Sequence, residues 1–316
     1  MIGLCGPYGN GREKRVETIL RVVTVVGCVA VLAGWLRIRP LARDTTLVPA
    51  WWWGLAASTL GLATASVGLL RNDGVTDQLW YATAVLALCP FIAVLGARRP
   101  VSTAWTSFVM LPLVLVLEWP ALGSLARSLV GLAPAVSPTD LLELSRPAVI
   151  VWAIVLIMGT GNYFGTRLSG LILLLVFGLF LVVLPLAGPR DGQMSQLTWA
   201  RAIAAVSAAV CVCWSSIELR RRRGDPGDPQ PVGWDRVWAD FGDLYGTVWT
   251  TRVRQRLNEE LARVPGGPKL EPGGFDWPAG EARELPEGAE RVVRWLLERF
   301  VDRAWIDRRL SEGTVD

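Results

Sequence analysis

The residues best suited to chemistry lie in one short stretch, Gly159-Thr160-Gly161-Asn162-Tyr163-Phe164-Gly165-Thr166-Arg167. Its glycines would let a ligand approach the backbone, Asn162 offers an amide that donates and accepts, and Arg167 matches an anion. The same residues also suit a tight helix–helix connection with Arg167 at the lipid headgroups. This is not a phosphate loop, because the lysine and the strand-to-helix setting are missing. Glu118, in Leu117-Glu118-Trp119-Pro120, is the only acid near the middle of an apolar stretch. An intramembrane carboxylate is a functional candidate, with Arg167 or Arg146 as its expected partner. Trp119 and Pro120 beside it also fit an interfacial or packing role. Asn162, Arg167 and Glu118 are therefore the candidate polar intramembrane or ligand site.

Other chemistry is thinly represented. The chain has no histidine, which removes imidazole metal ligands, haem ligation, Ser-His-Asp and Cys-His catalysis, and imidazole proton relays. An enzyme would have to use Glu118, Asp140 or Glu143 as acid and base. Of the five cysteines, Cys28, Cys89, Cys211 and Cys213 lie in apolar segments. Cys211 and Cys213 point away from one another on a helix, so they read as small packing residues. Asp73 and Asp77 lack the rest of a calcium loop. No catalytic residue, metal or cofactor is expected.

The elements that must position these residues are apolar helices. Seven segments of about 17–22 residues have the length needed to span a bilayer core: about 18–36, 50–70, 78–97, 103–121, 147–164, 168–188 and 198–219. They are continuous apolar runs, not the alternating ones of a β-barrel. Trp35, Trp51, Trp52, Trp53, Trp80, Trp105, Trp119, Trp199 and Trp214 cluster at segment ends, as interfacial belts do. Pro90, Pro112 and Pro185 interrupt segments and predict kinks. Ala57, Gly61 and Ala65 form a small-xxx-small face for close helix contact. In the longest loop, Ser137 followed by Pro138 and Asp140 predicts a short surface helix over 138–145.

At Arg220 the composition changes. Arg220, Arg221, Arg222 and Arg223 abut the last apolar segment and open a Gly/Asp/Pro linker over 220–233. They place the C-terminus in the cytoplasm. Arg37, Arg39, Arg43, Arg98, Arg99 and Arg167 would then also face the cytoplasm, whereas the basic residues of the polar 1–17 segment run against it. Residues 1–219 hold 15 basic and 10 acidic residues, and 220–316 hold 17 and 18. The tail is thus nearly neutral, which argues against nucleic acid as a partner. Only Lys14 and Lys269 break the arginine usage, a pattern that fits a GC-rich genome.

The tail, 234–316, carries two helical patterns, about 234–264 and 289–310, split by Pro265-Gly266-Gly267-Pro268 and a Pro/Gly-rich loop. Trp234, Trp238, Phe241, Tyr245, Leu296 and Phe300 mark an apolar face. So small a hairpin buries little alone, so that face should rest on the membrane domain, on a second copy or on a partner. The expected architecture is all-α: a polytopic transmembrane bundle of about seven spans over 18–219, then a small cytoplasmic two-helix tail. The expected setting is the bacterial inner membrane. The expected function is a non-catalytic scaffold or accessory subunit whose tail docks a protein partner or a second copy. The alternative is a transporter or channel for a neutral or anionic small molecule through Asn162, Arg167 and Glu118.

Overall fold

A computed structural model describes residues 11–70, 74–99, 102–129, 142–187, 194–221, 232–277 and 284–311. Its helices are α1 (Gly11–Ala42), α2 (Val48–Leu70), α3 (Gly74–Leu86), α4 (Cys89–Leu95), α5 (Ser102–Trp105), α6 (Leu111–Leu129), α7 (Arg146–Thr160), α8 (Ser169–Val183), α9 (Met194–Arg221), α10 (Gly233–Leu261), α11 (Glu287–Leu297) and α12 (Arg303–Ser311). Two short strands, β1 (Leu270–Glu271) and β2 (Gly274–Phe275), pair antiparallel. Six apolar helices are long enough to cross a membrane: Arg12–Ala42, Val48–Leu70, Val75–Leu95, Arg146–Tyr163, Ser169–Leu186 and Gln196–Leu219. A further apolar helix, Thr106–Leu122, is shorter. This is a helical membrane protein. Val26, Phe108, Leu115, Ile154, Phe177 and Ile217 are exposed on the outside of these helices, where only lipid would make them comfortable.

Each interrupting proline sits at a break. Pro90 follows the turn between α3 and α4. Pro112 follows a π-helical turn over Thr106–Met110, and Pro185 lies in the 3₁₀ turn Leu184–Leu186 that ends α8. Proline supplies no N–H and crowds the preceding turn, so the helix must loosen there. In the bundle, α9 packs on α1 and α8, and α2 packs on α1 and α3. Small residues set these approaches. A methyl at Gly27 would lie 3.0 Å from Ala205, one at Gly178 3.1 Å from Ser207, and one at Gly61 3.2 Å from Thr83. Ala57 and Ala65 are buried on the same face as Gly61. Trp35 and Trp51 exchange bonds, each indole N–H donating to the other's backbone carbonyl. Trp52, Trp119, Trp199 and Trp214 are exposed, whereas Trp51 and Trp80 are buried.

Several expectations need correction. Leu142–Ser145 is not helical. There the Leu144 N–H donates to the Leu186 carbonyl at 2.7 Å, and Leu142 and Leu144 bury into the bundle. The start of the expected surface helix, Ser137 to Asp140, lies outside the described residues, as do Cys5, Asp73, Arg222 and Arg223 and the side chains of Arg220 and Arg221. The tail is not a plain two-helix hairpin. α10 is broken at Gly246, whose φ of 74° and ψ of −176° suit glycine alone. The second helical pattern is split into α11 and α12 by residues 298–302, because their backbone is used elsewhere: Val301 forms an antiparallel bridge with Thr45.

The tail's buried residues share one core with the near end of the bundle, where Ala42, Leu47, Trp51, Ile92 and Val94 join Trp238, Phe241 and Phe300. Trp238, Phe241, Tyr245 and Phe300 stack or meet edge-to-face. Asp235, buried beside Trp234, accepts the Phe275 N–H and the Trp277 indole N–H, both at 2.7 Å. Asn258 fastens Leu270 by its N–H and its carbonyl. Arg309 bonds Asp240 at 2.7 Å and lies over the Trp305 ring.

Candidate functional site

Asn162 follows α7 in a 3₁₀ turn, Gly161–Tyr163, and is buried. Its occupant is the tail. The amide nitrogen donates to the Tyr245 carbonyl at 2.9 Å, and the amide oxygen accepts the Val248 N–H at 2.9 Å. The Asn162 carbonyl accepts the Thr247 hydroxyl, and the Tyr163 hydroxyl donates to the Leu244 carbonyl. The Leu244 and Tyr245 carbonyls and the Val248 N–H flank Gly246, where a break in the helix leaves backbone groups to be satisfied from outside. The stretch that resembles a ligand loop therefore completes the broken helix. A methyl on Gly246 would meet the Asn162 amide at 2.5 Å, so close approach and unusual backbone require glycine together.

Two more anchors lie at the same end of the bundle. In the turn after α1, the Thr46 N–H donates to the Phe300 carbonyl, and the Asp302 N–H donates to the Asp44 carbonyl. Beyond α4, the Arg99 N–H donates to the Arg299 carbonyl. Arg99 pairs with Asp302 at 2.5 Å and Arg308 with Asp44 at 2.7 Å. The Tyr245 hydroxyl donates to the Phe300 carbonyl at 2.6 Å and sits 3.1 Å from the Thr46 hydroxyl. Burial holds this phenol well above its usual pKa, so it stays a donor. Carbonyls at the end of α4 are capped by two indoles, Trp105 on Ile92 and Trp249 of the tail on Val94.

The other two candidates are placed differently. Arg167 is exposed. Glu118 is half-buried, and one of its carboxylate oxygens has no hydrogen-bond partner. No bond among the described residues joins Asn162, Arg167 and Glu118, and none of the three lines either interior cavity described below. A transport route through them therefore has no geometric support. Trp234, Trp238, Phe241, Tyr245, Leu296 and Phe300 are all buried within the chain, because α10, α11, α12 and residues 44–46 cover them. That apolar face is filled from inside. Among the described residues, no three Cys, Asp or Glu side chains converge as metal ligands.

Sequence reasoning missed two features. The first is an ion pair, Arg201 on α9 with Asp77 on α3, both side chains nearly solvent-free. Arg201 also lies over the Trp80 ring at 5.8 Å. Asp77 and Arg201 in apolar surroundings were the available signal. The second is a pair of adjoining cavities inside the bundle, of about 130 and 170 Å³. The first is walled by residues such as Ala57, Gly61, Ala84, Ala205 and Ala208, and both share Trp35, Pro90, Phe91, Leu175 and Val212.

Comparison with protein-family models, with curated proteins and with solved structures gives no match.

Proposed function

We propose that the chain is a non-catalytic integral membrane scaffold or accessory subunit that carries its tail as a fixed cap on the cytoplasmic end of a seven-span bundle. The observation that carries the reading is the Asn162 clip at Gly246, which makes the tail part of the bundle. The ends of α1, α4 and α7 all meet the tail. α4 ends on that side and α7 must start on the other. Thr106–Leu122 is then the segment that carries the chain back across, the seventh crossing. Arg220 to Arg223, beside Arg37, Arg39, Arg43, Arg98, Arg99 and Arg167, favour the cytoplasm for this end and the cell membrane of a bacterium as the setting. A protein partner or second copy would meet the tail's outer face, where Trp295 is half exposed beneath Arg299.

The test is affinity purification in mild detergent of the full chain, of Asn162→Ala and of a chain ending at residue 224. The reading expects partners of the full chain to be lost from the truncated one and reduced in Asn162→Ala. Retention of every partner by all three overturns it. A C-terminal reporter active only in the periplasm would overturn the orientation.

A further inference from the structure

The second cavity and a bay on the outer surface are neighbours. The cavity runs from Trp35 and Pro90 to the tail at Leu244, and its wall residues Ala42 and Trp51 also border the bay. That bay holds Arg39 and Arg43 at the end of α1 and Trp52 at the start of α2. Arg39 lies over the Trp51 ring at 5.5 Å. Both arginines are exposed, and neither forms an ion pair among the described residues.

We propose that the bay and the joined cavities form one site for a single anionic membrane phospholipid, its phosphate held by Arg39 and Arg43 and one acyl chain lying between α1, α2, α4 and α8. Three observations carry this. The cavity walls are almost wholly apolar, so the space suits a hydrocarbon chain rather than water. Among the described residues, the only carboxylate lining the second cavity, Asp243, has a partner within the protein. The two guanidiniums line the bay next to the second cavity, beside Trp51 and Trp52, tryptophans of the kind that mark headgroup depth, and guanidinium recognises phosphate by paired hydrogen bonds. A free phosphate would use the arginines and leave the cavities unused, whereas a neutral amphiphile would do the reverse. Only an anionic lipid uses both. The inference goes beyond the scaffold reading and stands whether or not the tail docks a partner.

The experiment is native mass spectrometry of the full chain, delipidated in neutral detergent and offered phosphatidylglycerol, phosphatidylcholine, a monoacylglycerol or inorganic phosphate. The wild type should retain one phosphatidylglycerol per chain and prefer it to phosphatidylcholine by about tenfold. Arg39→Gln with Arg43→Gln should erase that preference while leaving the fold intact by circular dichroism. Ala84→Leu, which fills the first cavity, should lose the retained lipid. If it does not fold, Ala208→Val serves as the second wall variant. Equal retention of the two phospholipids by the wild type overturns the proposal. So does retention unchanged by the wall variant, which would mark a lipid on the outer surface, or full displacement of phosphatidylglycerol by inorganic phosphate.

Discussion

In the tail, Phe241 stacks on Tyr245 with ring centroids 4.6 Å apart and meets Phe300 at 5.4 Å, whereas in the bundle Ala57, Gly61, Ala84 and Ala205 wall an open cavity. The two regions are built for different solvents. Around the tail, water drives large aromatic side chains inward and rewards filling every gap. Inside the bilayer, an apolar side chain gains little by leaving lipid for protein, so helix contact depends on close approach and on bonds. The bundle accordingly uses glycines where α1 and α8 meet α9 and the Asp77–Arg201 pair between α3 and α9. It can also keep open space where the tail cannot. The border between the regions follows neither rule. Besides shared apolar contacts, it is held by backbone hydrogen bonds between loops, by side-chain bonds from Asn162, Tyr163, Thr247 and Trp249, and by two ion pairs.

Four substitutions break or sharpen this contrast, with proteolytic cleavage of the tail as the common measurement, because cleavage follows the population of opened tail. Phe241→Ala should have the largest effect, about 3–5 kcal/mol, since it empties the tail's aromatic centre. A loss below about 1 kcal/mol would mean the tail core is as loosely filled as the bundle. Asn162→Ala should cost on the order of 3 kcal/mol, because it strands the Tyr245 carbonyl and the Val248 N–H, each worth about 1–3 kcal/mol when buried alone. Tail cleavage at the wild-type rate would remove the clip from the account. Gly246→Ala should cost about 1–3 kcal/mol from backbone strain, and its methyl would also press on Asn162. In the Asn162→Ala background the added loss should shrink, and a loss that stays fully additive would show the two residues acting independently. Arg99→Ala should matter least, below about 1 kcal/mol, because its pair with Asp302 is half exposed. A larger loss would make the border electrostatic.

Much of the architecture was legible in the sequence because lipid leaves so little choice. A span needs a long apolar run, so the segments and their proline breaks could be placed from composition. The tail's first helix and its apolar face were legible from three-and-four spacing. What covers that face was not. A pattern shows that Phe241 must be buried, but not that residues 44–46, far away in the chain, close over Phe300. The break over 298–302 contains neither glycine nor proline, and Asp302 ahead of Arg303 was the only start signal for α12. In α10, Gly246 is of a type that hints at the break there. Asn162 stood out in the sequence as a residue that could hydrogen-bond a ligand. The sequence could not reveal that its ligand is backbone 83 positions further on. Asp235, three residues before Trp238 and so on the apolar side of its helix, was a readable sign of a buried carboxylate with partners.

The three anchors of the tail come from the turn after α1, the end of α4 and the end of α7, and the tail is made after all of them. Its docking surface therefore does not exist until those helices have been threaded in the right direction and gathered at one end. A helix left out or inverted during insertion would carry its anchor to the wrong face of the bilayer. Residues 298–302 would then lie unpaired in water, open to the proteases that remove faulty chains. The seating of the tail thus depends on segments that lie far apart in the chain being brought together at one end.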